Sequence, residues 1–100
     1  MNNKRGGLFL EDLCESLLDY IGSFDEVTGV YLEEEDDDDF DFLVSFKNNK
    51  YALKNIITLE NNLLNNFMQI KIHLLYEQIA DQLCEDTDEI VIDFYITYLP

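Results

Sequence analysis

The sequence predicts a small α+β domain, because apolar residues recur with two different periods along it. Helical spacing appears near the N-terminus at Leu10, Leu17 and Ile21, whereas apolar and polar residues alternate in "DFDFLVSF" and in "EIVIDFYITYL". One hundred residues provide room for a single hydrophobic core. We therefore expect one α+β domain over residues 8–100, preceded by a flexible N-terminus at residues 1–7. An antiparallel or mixed sheet of three to four strands should be covered by helices on one face.

The first half of the chain predicts a helix followed by a hairpin. The helix is expected at about 8–21, and Gly22 stands where a glycine commonly follows a helix end. Strands are expected at 27–32, which is rich in β-branched and aromatic residues, and at 41–47, which alternates. Seven consecutive acids, 33–39, lie between these strands and should form the tip of the hairpin.

The second half of the chain fits two patterns. Residues 51–66 carry a helical stripe, and "MQIKIHL" then alternates as a strand would at 67–74, before a short helix that includes Ile79. The same apolar residues also fit one long helix at about 51–84. The alternation favours the strand, and a further strand follows in "EIVIDFYITYL". The expected order is α-β-β-α-β-α-β, with α-β-β-α-β as the alternative.

Charge is the strongest functional signal in the sequence. There are 22 acids against six bases, a net charge of −16, and no base follows Lys71. Hydrophobic residues make up 47% of the chain and aromatic residues 13%, so the chain should fold rather than stay disordered. Such a field repels nucleic acid and anionic membrane and attracts cationic surfaces. We therefore expect a basic protein as partner, with no direct contact to nucleic acid or membrane.

Cysteine use and hydropathy indicate a cytoplasmic protein. Two cysteines, Cys14 and Cys84, are too few for a disulfide framework. The apolar stretch after Arg5 is too short for a signal peptide, and no stretch approaches the length of a transmembrane helix. If the chain is phage-encoded, the compartment would be the host cytoplasm.

A calcium loop is the first specific site to weigh for the acidic run. Asp37, Asp39 and Asp41 have the one-three-five spacing of such a loop. The sixth position is Phe42 rather than glycine and the twelfth is Asn48 rather than glutamate, so the sharp turn and the bidentate ligand are both missing. We expect no specific metal site.

A catalytic site is the second possibility for these acids. The stretch "DFDFLV" resembles the Asp-x-Asp strand on which nucleotidyltransferases hold magnesium, and a Gly-Ser pair at 22–23 precedes it. In that family the pair opens a helix, whereas here it ends one, and only Lys47 and Lys50 lie near enough in sequence to clamp a triphosphate. His73 is the only histidine, and Cys14 falls on an apolar helical stripe. We expect no catalytic residues, no cofactor and no enzymatic activity.

The leading hypothesis is a protein that imitates a polyanion. An extended chain rises about 3.4 Å per residue, which matches the spacing of phosphates along one DNA strand. The protein would be a non-enzymatic inhibitor that occupies the basic surface of a nucleic-acid-binding protein or nuclease. Phage anti-CRISPR and anti-restriction proteins and toxin immunity proteins share its size and charge. The candidate contact residues are Tyr31, Glu33, Glu34, Glu35, Asp36, Asp37, Asp38, Asp39, Phe40, Asp41, Glu85, Asp86, Asp88 and Glu89.

A small acidic secretion-type chaperone is the alternative hypothesis. Such proteins bind extended client segments through apolar strips, and their acids serve solubility. They are often dimeric, and a homodimer is compatible with this sequence too. Salt distinguishes the two hypotheses, because it screens exposed charges and should weaken only the polyanion mimic.

Overall fold

The computed structural model describes residues 2–100, with side chains described from Leu10 onward. It shows an α+β domain in the order α-β-β-α-β-α-β, as predicted. The first helix begins at Asn2, six residues before the predicted start at about 8, and the flexibility predicted for residues 1–7 stays a prediction. The elements are α1 (Asn2–Ser23), β1 (Val27–Asp36), β2 (Asp39–Lys47), α2 (Ala52–Asn66), β3 (Ile70–His73), α3 (Tyr76–Leu83) and β4 (Glu89–Tyr98).

The alternative long helix at 51–84 is wrong, and the residues that follow α2 show why. The backbone N–H of Phe67 donates to the carbonyl of Leu63 and closes the helix, while Phe67 itself is extended, with φ −122° and ψ 112°. Its ring packs edge-on against Tyr20 of α1, with 5.5 Å between the ring centroids. Gln69 then takes a positive φ of 67°, which turns the chain into β3. Tertiary packing thus ends a helix that the apolar spacing alone would continue.

The four strands form one antiparallel sheet in the order β1-β2-β4-β3. The central pair is in register over its whole length, with Phe42 opposite Phe94 and Val44 opposite Ile92. All three helices cover the same face of the sheet and close one apolar core. The fully buried larger side chains include Leu17, Ile21, Phe40, Phe42, Phe46, Ile56, Leu59, Leu63, Ile79, Ile90, Ile92, Phe94 and Ile96.

A side chain of α3 completes the sheet where β3 is too short to do so. β3 pairs with β4 only from Tyr95 onward, which leaves the earlier part of that edge of β4 without a strand. The Gln82 amide fills the gap: it donates to the carbonyl of Val91 at 2.7 Å and accepts from its N–H at 2.9 Å. An edge protected in this way is a poor template for pairing with another chain.

The second face of the sheet is turned away from the helices. Its side chains come from the alternate positions of each strand, the ones that the core does not use. Among the described residues, no helix has both the length and the apolar character needed to cross a membrane.

Candidate functional site: an acidic face of the sheet

The acidic run folds back on itself and does not extend as one strip. Residues 33–36 end β1, Asp37 and Asp38 form the turn, and Asp39 begins β2 directly opposite Asp36. The turn is held against the sheet, because the backbone N–H of Tyr98 donates to the carbonyl of Asp38 at 2.8 Å. Strand alternation then divides the carboxylates between the two faces of the sheet.

The face without helices gathers most of these carboxylates into rows that cross the strands. An irregularity between Leu32 and Glu34 inserts Glu33 into β1, so that two successive glutamates lie beside Asp41. The row nearest the turn is Asp36, Asp39, Thr97 and Lys71; the next is Glu34, Asp41, Tyr95 and His73; the third is Tyr31, Leu43 and Asp93. We call Glu33, Glu34, Asp36, Asp39, Asp41 and Asp93 the acidic sheet face.

The centre of this face is a cluster of three carboxylates. Oxygens of Glu33, Asp41 and Asp93 lie within 4.8 Å of one another. Oδ1 of Asp41 is buried and has no hydrogen-bond partner. Partial burial, followed by the negative charges of Asp93 and Glu33, raises the pKa of Asp41 to about 6. Carboxylates crowded in this way are stabilised by a shared proton or by a cation.

Replacing Asp41 with asparagine is expected to stabilise the fold at neutral pH. The folded chain holds this proton to about pH 6, whereas the unfolded carboxyl titrates near 3.8, so this group makes stability fall as pH rises between those values. At pH 7, Asp41→Asn should raise the free energy of unfolding by about 1 kcal/mol, after allowance for solvent screening. Below pH 4 the gain should vanish. Urea unfolding at several pH values measures both.

Asp19→Asn is the matched control, because Asp19 is an exposed acid on α1. It removes the same charge without touching the cluster. If the two variants changed the free energy of unfolding equally at every pH, the total charge of the protein, and not the Asp41 cluster, would be the cause.

Aromatic and hydroxyl side chains border the acidic sheet face. Tyr31 is 59% exposed, beside Leu43 in the third row. Partial burial and the carboxylate of Asp39 raise the pKa of Tyr95. The Thr97 hydroxyl donates to Oδ1 of Asp39 at 2.8 Å. These groups give the charged face a partly apolar rim that a partner could contact.

Phe40 is not a contact residue, which corrects one prediction. It is 1% exposed, and its ring packs in the core with 6.2 Å between its centroid and that of Phe42. Phe40 and Phe42 lie two positions apart in β2, so they share the face that the helices cover.

Glu35 also points away from the acidic sheet face, towards the helices. It pairs with Phe40 across the hairpin and lines a shallow cavity of about 250 Å³ with Cys14, Leu18 and Leu32. Burial, and then the charge of Glu35, raise the pKa of the Cys14 thiol to about 11. The thiol is thus protonated at neutral pH and is a weak nucleophile.

The second predicted patch, at residues 85–89, lies at the other end of the sheet. Glu89 opens β4 opposite Lys47, eight residues from Thr97, which corresponds to about 27 Å along a strand. The side-chain amide of Asn48 holds this loop by donating to the carbonyls of Glu85 and Thr87. Glu85, Asp86, Asp88 and Glu89 are exposed, but they do not join the acidic sheet face.

The structure separates the two side chains of a Cys–His pair, whereas it brings together three carboxylates, those of Glu33, Asp41 and Asp93, that could hold a metal ion. Cys14 lies in the helical layer and His73 on the opposite side of the sheet, in the row of Asp41 and Tyr95. Asp39 and Asp41 belong to a regular strand, which replaces the loop that a calcium site would require. Lys47, one of the bases suggested for a triphosphate, lies at the far end of β2.

Asp93 and Tyr95 belong to the site and were not among its predicted residues. Both sit at the alternate positions of β4, between the core residues Ile92, Phe94 and Ile96. The alternation in "EIVIDFYITYL" already indicates that Asp93 and Tyr95 lie on the face of β4 opposite to the core. It does not indicate which residues lie beside them, because sequence alone does not pair β4 with β2. Comparisons of the chain with models of protein families, with curated proteins and with solved structures each found no match.

Proposed function

We propose that the protein is a non-enzymatic inhibitor that binds the basic surface of a nucleic-acid-binding protein with its acidic sheet face. The observation that supports this most is the gathering of six carboxylates on one sheet face that no helix covers. The other acids that the sequence predicted as contact residues do not share this face. The proposed contact residues are Tyr31, Glu33, Glu34, Asp36, Asp39, Asp41, Asp93 and Tyr95.

The spacing of these carboxylates supports a likeness to nucleic acid, but the arrangement differs from the single extended strip that the sequence predicted. Side chains on one face of a strand repeat about every 6.8 Å, which alone is half the charge density of a DNA strand. In the first two rows, β1 and β2 each contribute one acid: Asp36 with Asp39, and Glu34 with Asp41. Two acids in each row restore about one acid per 3.4 Å, and Lys71, at the β3 end of the first row, offsets one of these charges. Two strands together thus supply the charge density of one nucleic-acid strand.

The raised pKa of Asp41 supports a cationic partner. The ionised form of Asp41 is unfavourable in the free protein, because partial burial removes water from its carboxylate and because Asp93 and Glu33 repel its charge. A lysine or arginine of the partner would lower that repulsion on binding. Part of the binding free energy would then come from removing an unfavourable electrostatic interaction that the free protein already contains. Tyr31 and Tyr95 would add the apolar contact that charge alone does not provide.

A capture experiment from lysate of the source cell tests the proposal. Immobilised wild-type protein should retain a basic nucleic-acid-binding protein at low salt and lose most of it at several hundred millimolar salt, where the Debye length falls towards about 3 Å. Mass spectrometry identifies what is retained. Retention of a partner that is neither basic nor salt-sensitive would contradict the proposal.

A chaperone-type function is the second candidate, and it rests on a different surface. Leu53, Ile57 and Leu64 form an exposed apolar stripe on α2. A client bound there would be indifferent to salt and to the acids of the sheet. The same capture experiment therefore separates the two candidates.

A further inference from the structure

The two edges of the sheet differ in how completely they are paired. At one edge, β3 and the Gln82 amide pair with β4. At the other edge, β1 pairs with β2 alone in the described part of the chain. Proteins commonly shield such an edge with lysine or proline, and β1 contains neither. Two irregularities interrupt β1 and leave Gly29–Leu32 as a regular run, which is the part of the edge that another strand could pair with.

The apolar side chains of β1 are less completely covered than those of β2. Val30 lies opposite Val44, and Leu32 lies opposite Phe42, so all four point towards the helices. Val44 and Phe42 are 0% exposed, whereas Val30 and Leu32 are only half-buried. A strand added beside β1 would cover the apolar surface that α1 leaves open.

A shallow cavity lies on the same side of β1 and could take side chains of the added strand. It is the cavity of about 250 Å³ between α1 and β1, where Cys14 and Leu18 face Leu32. A second cavity, of about 320 Å³, adjoins it towards the hairpin turn, and the two share Glu11 and Glu35. Apolar side chains and carboxylates thus lie together along this side of the edge.

Gly29 lies in the regular run, and the fold itself does not require a glycine there. No described glycine has a positive φ. A Cβ added at Gly29 would meet Oγ of Ser45 at 3.7 Å, which is an ordinary contact. A glycine inside a strand often marks a place where another backbone approaches closely.

The charge around β1 indicates the chemistry of an added strand. Residues 6–46 carry fourteen acids and no base. Lys4 and Arg5 precede this stretch at the start of α1, Lys47 lies at the end of β2 farthest from the acidic turn, and Lys71 lies on β3 at the opposite edge of the sheet. A second copy of β1 would bring acids and no base to this edge, so it would be repelled, whereas a basic segment would be attracted.

We propose that an extended basic segment of the partner pairs with β1 at Gly29–Leu32 as a fifth strand of the sheet. Because side chains alternate along a strand, its basic residues would lie on the acidic sheet face near Tyr31 and Glu34. Its apolar residues would lie on the helical side, beside Val30 and Leu32. Backbone pairing contributes affinity in such complexes, and the alternate side chains contribute specificity. This proposal rests on the proposed function and states which kind of segment the partner supplies.

The first test uses a fluorescent peptide of alternating lysine and valine, with binding followed by fluorescence anisotropy at low salt. We expect the peptide to bind the wild-type protein. The control peptide has the same sequence but is N-methylated along its backbone, so it keeps its charge and side chains and cannot donate backbone hydrogen bonds. It should bind at least about tenfold more weakly. Equal binding of the two peptides, or no binding of either, would overturn the proposal.

Amide hydrogen exchange, resolved by residue with NMR, locates the peptide on the protein. The peptide should slow exchange of those backbone amides in Gly29–Leu32 that face the free edge. If the peptide binds in a salt-dependent way and leaves these amides unchanged, strand addition is wrong and the proposed function stands. If these amides are protected and the lysate yields no basic partner, strand addition is supported and the proposed function is contradicted.

A second copy of the chain is the other occupant that the exchange experiment distinguishes. Without peptide, exchange at Gly29–Leu32 should not depend on protein concentration. If it slows as the concentration rises, β1 pairs with another copy of the chain, and the proposal of a basic partner segment is overturned.

Discussion

Neutralising four acids of the acidic sheet face should weaken binding of the captured basic partner by about 100-fold or more. The change is Glu34→Gln with Asp36→Asn, Asp39→Asn and Asp41→Asn, which removes the charges of the first two rows and keeps side-chain size. Exposed ion pairs contribute about 0.2–1 kcal/mol each, and four that act on one surface add up to roughly this loss. The dissociation constant is measured by calorimetry at low salt. The fold should persist, because none of the four side chains belongs to the core.

A second variant with an equal change of charge separates a site from a general field. It carries Glu85→Gln, Asp86→Asn, Asp88→Asn and Glu89→Gln, at the other end of the sheet. We expect this variant to bind within about tenfold of the wild type, because only long-range attraction is reduced. Equal losses in both variants would show that net charge alone determines binding. Full binding by the first variant would exclude the acidic sheet face as the contact surface.

Truncating Phe94 should cost the fold most of its stability. Phe94 is fully buried in β4, opposite Phe42, and 6.1 Å separates its ring centroid from that of Phe46. Replacing a buried phenylalanine with alanine typically costs about 3–5 kcal/mol. Small domains have a free energy of unfolding of about 5–15 kcal/mol, and repulsion among the acids reduces it here. Phe94→Ala should therefore be largely unfolded at room temperature, as urea denaturation followed by circular dichroism would show.

The neighbouring residue supplies the control for that prediction. Tyr95 is 38% exposed on the other face of the same strand. Tyr95→Ala should cost about 1 kcal/mol or less, because the ring leaves no closed cavity behind. If Tyr95→Ala were as damaging as Phe94→Ala, the assignment of the two faces of β4 would be wrong.

Most of the fold could be predicted from the sequence, because the helical spacing of apolar residues and their strand-like alternation occur in separate parts of the chain. Alternation in 41–47 and in the last strand indicated two strands, β2 and β4, whose buried residues are all apolar and which the structure pairs at the centre of the sheet. The break after α2 was harder to predict. An apolar stripe runs through 67–74 at helical spacing as well, and the break depends on Phe67 packing against Tyr20, a contact 47 residues apart in sequence.

The candidate site was predicted in composition but not in geometry. The count of acids located the charge in the sequence. The predicted extended strip, however, took no account of strand alternation, which places Glu35 and Phe40 on the side of the sheet that the helices cover. That alternation was already visible in Phe40 and Phe42. The contribution of Asp93 depends on the pairing of β4 with β2 and on the extra residue in β1, and neither has a local sequence signal.

Competition with nucleic acid distinguishes a protein that occupies a nucleic-acid-binding surface from one that binds elsewhere on the partner. The captured partner is mixed with a fluorescent duplex that it binds, and the protein is titrated in while fluorescence anisotropy is followed. The wild type should displace the duplex completely, whereas the four-acid variant of the acidic sheet face should do so only at about 100-fold higher concentration. A ternary complex, in which the partner holds the duplex and the protein together, would contradict the claim that this face occupies a nucleic-acid-binding surface.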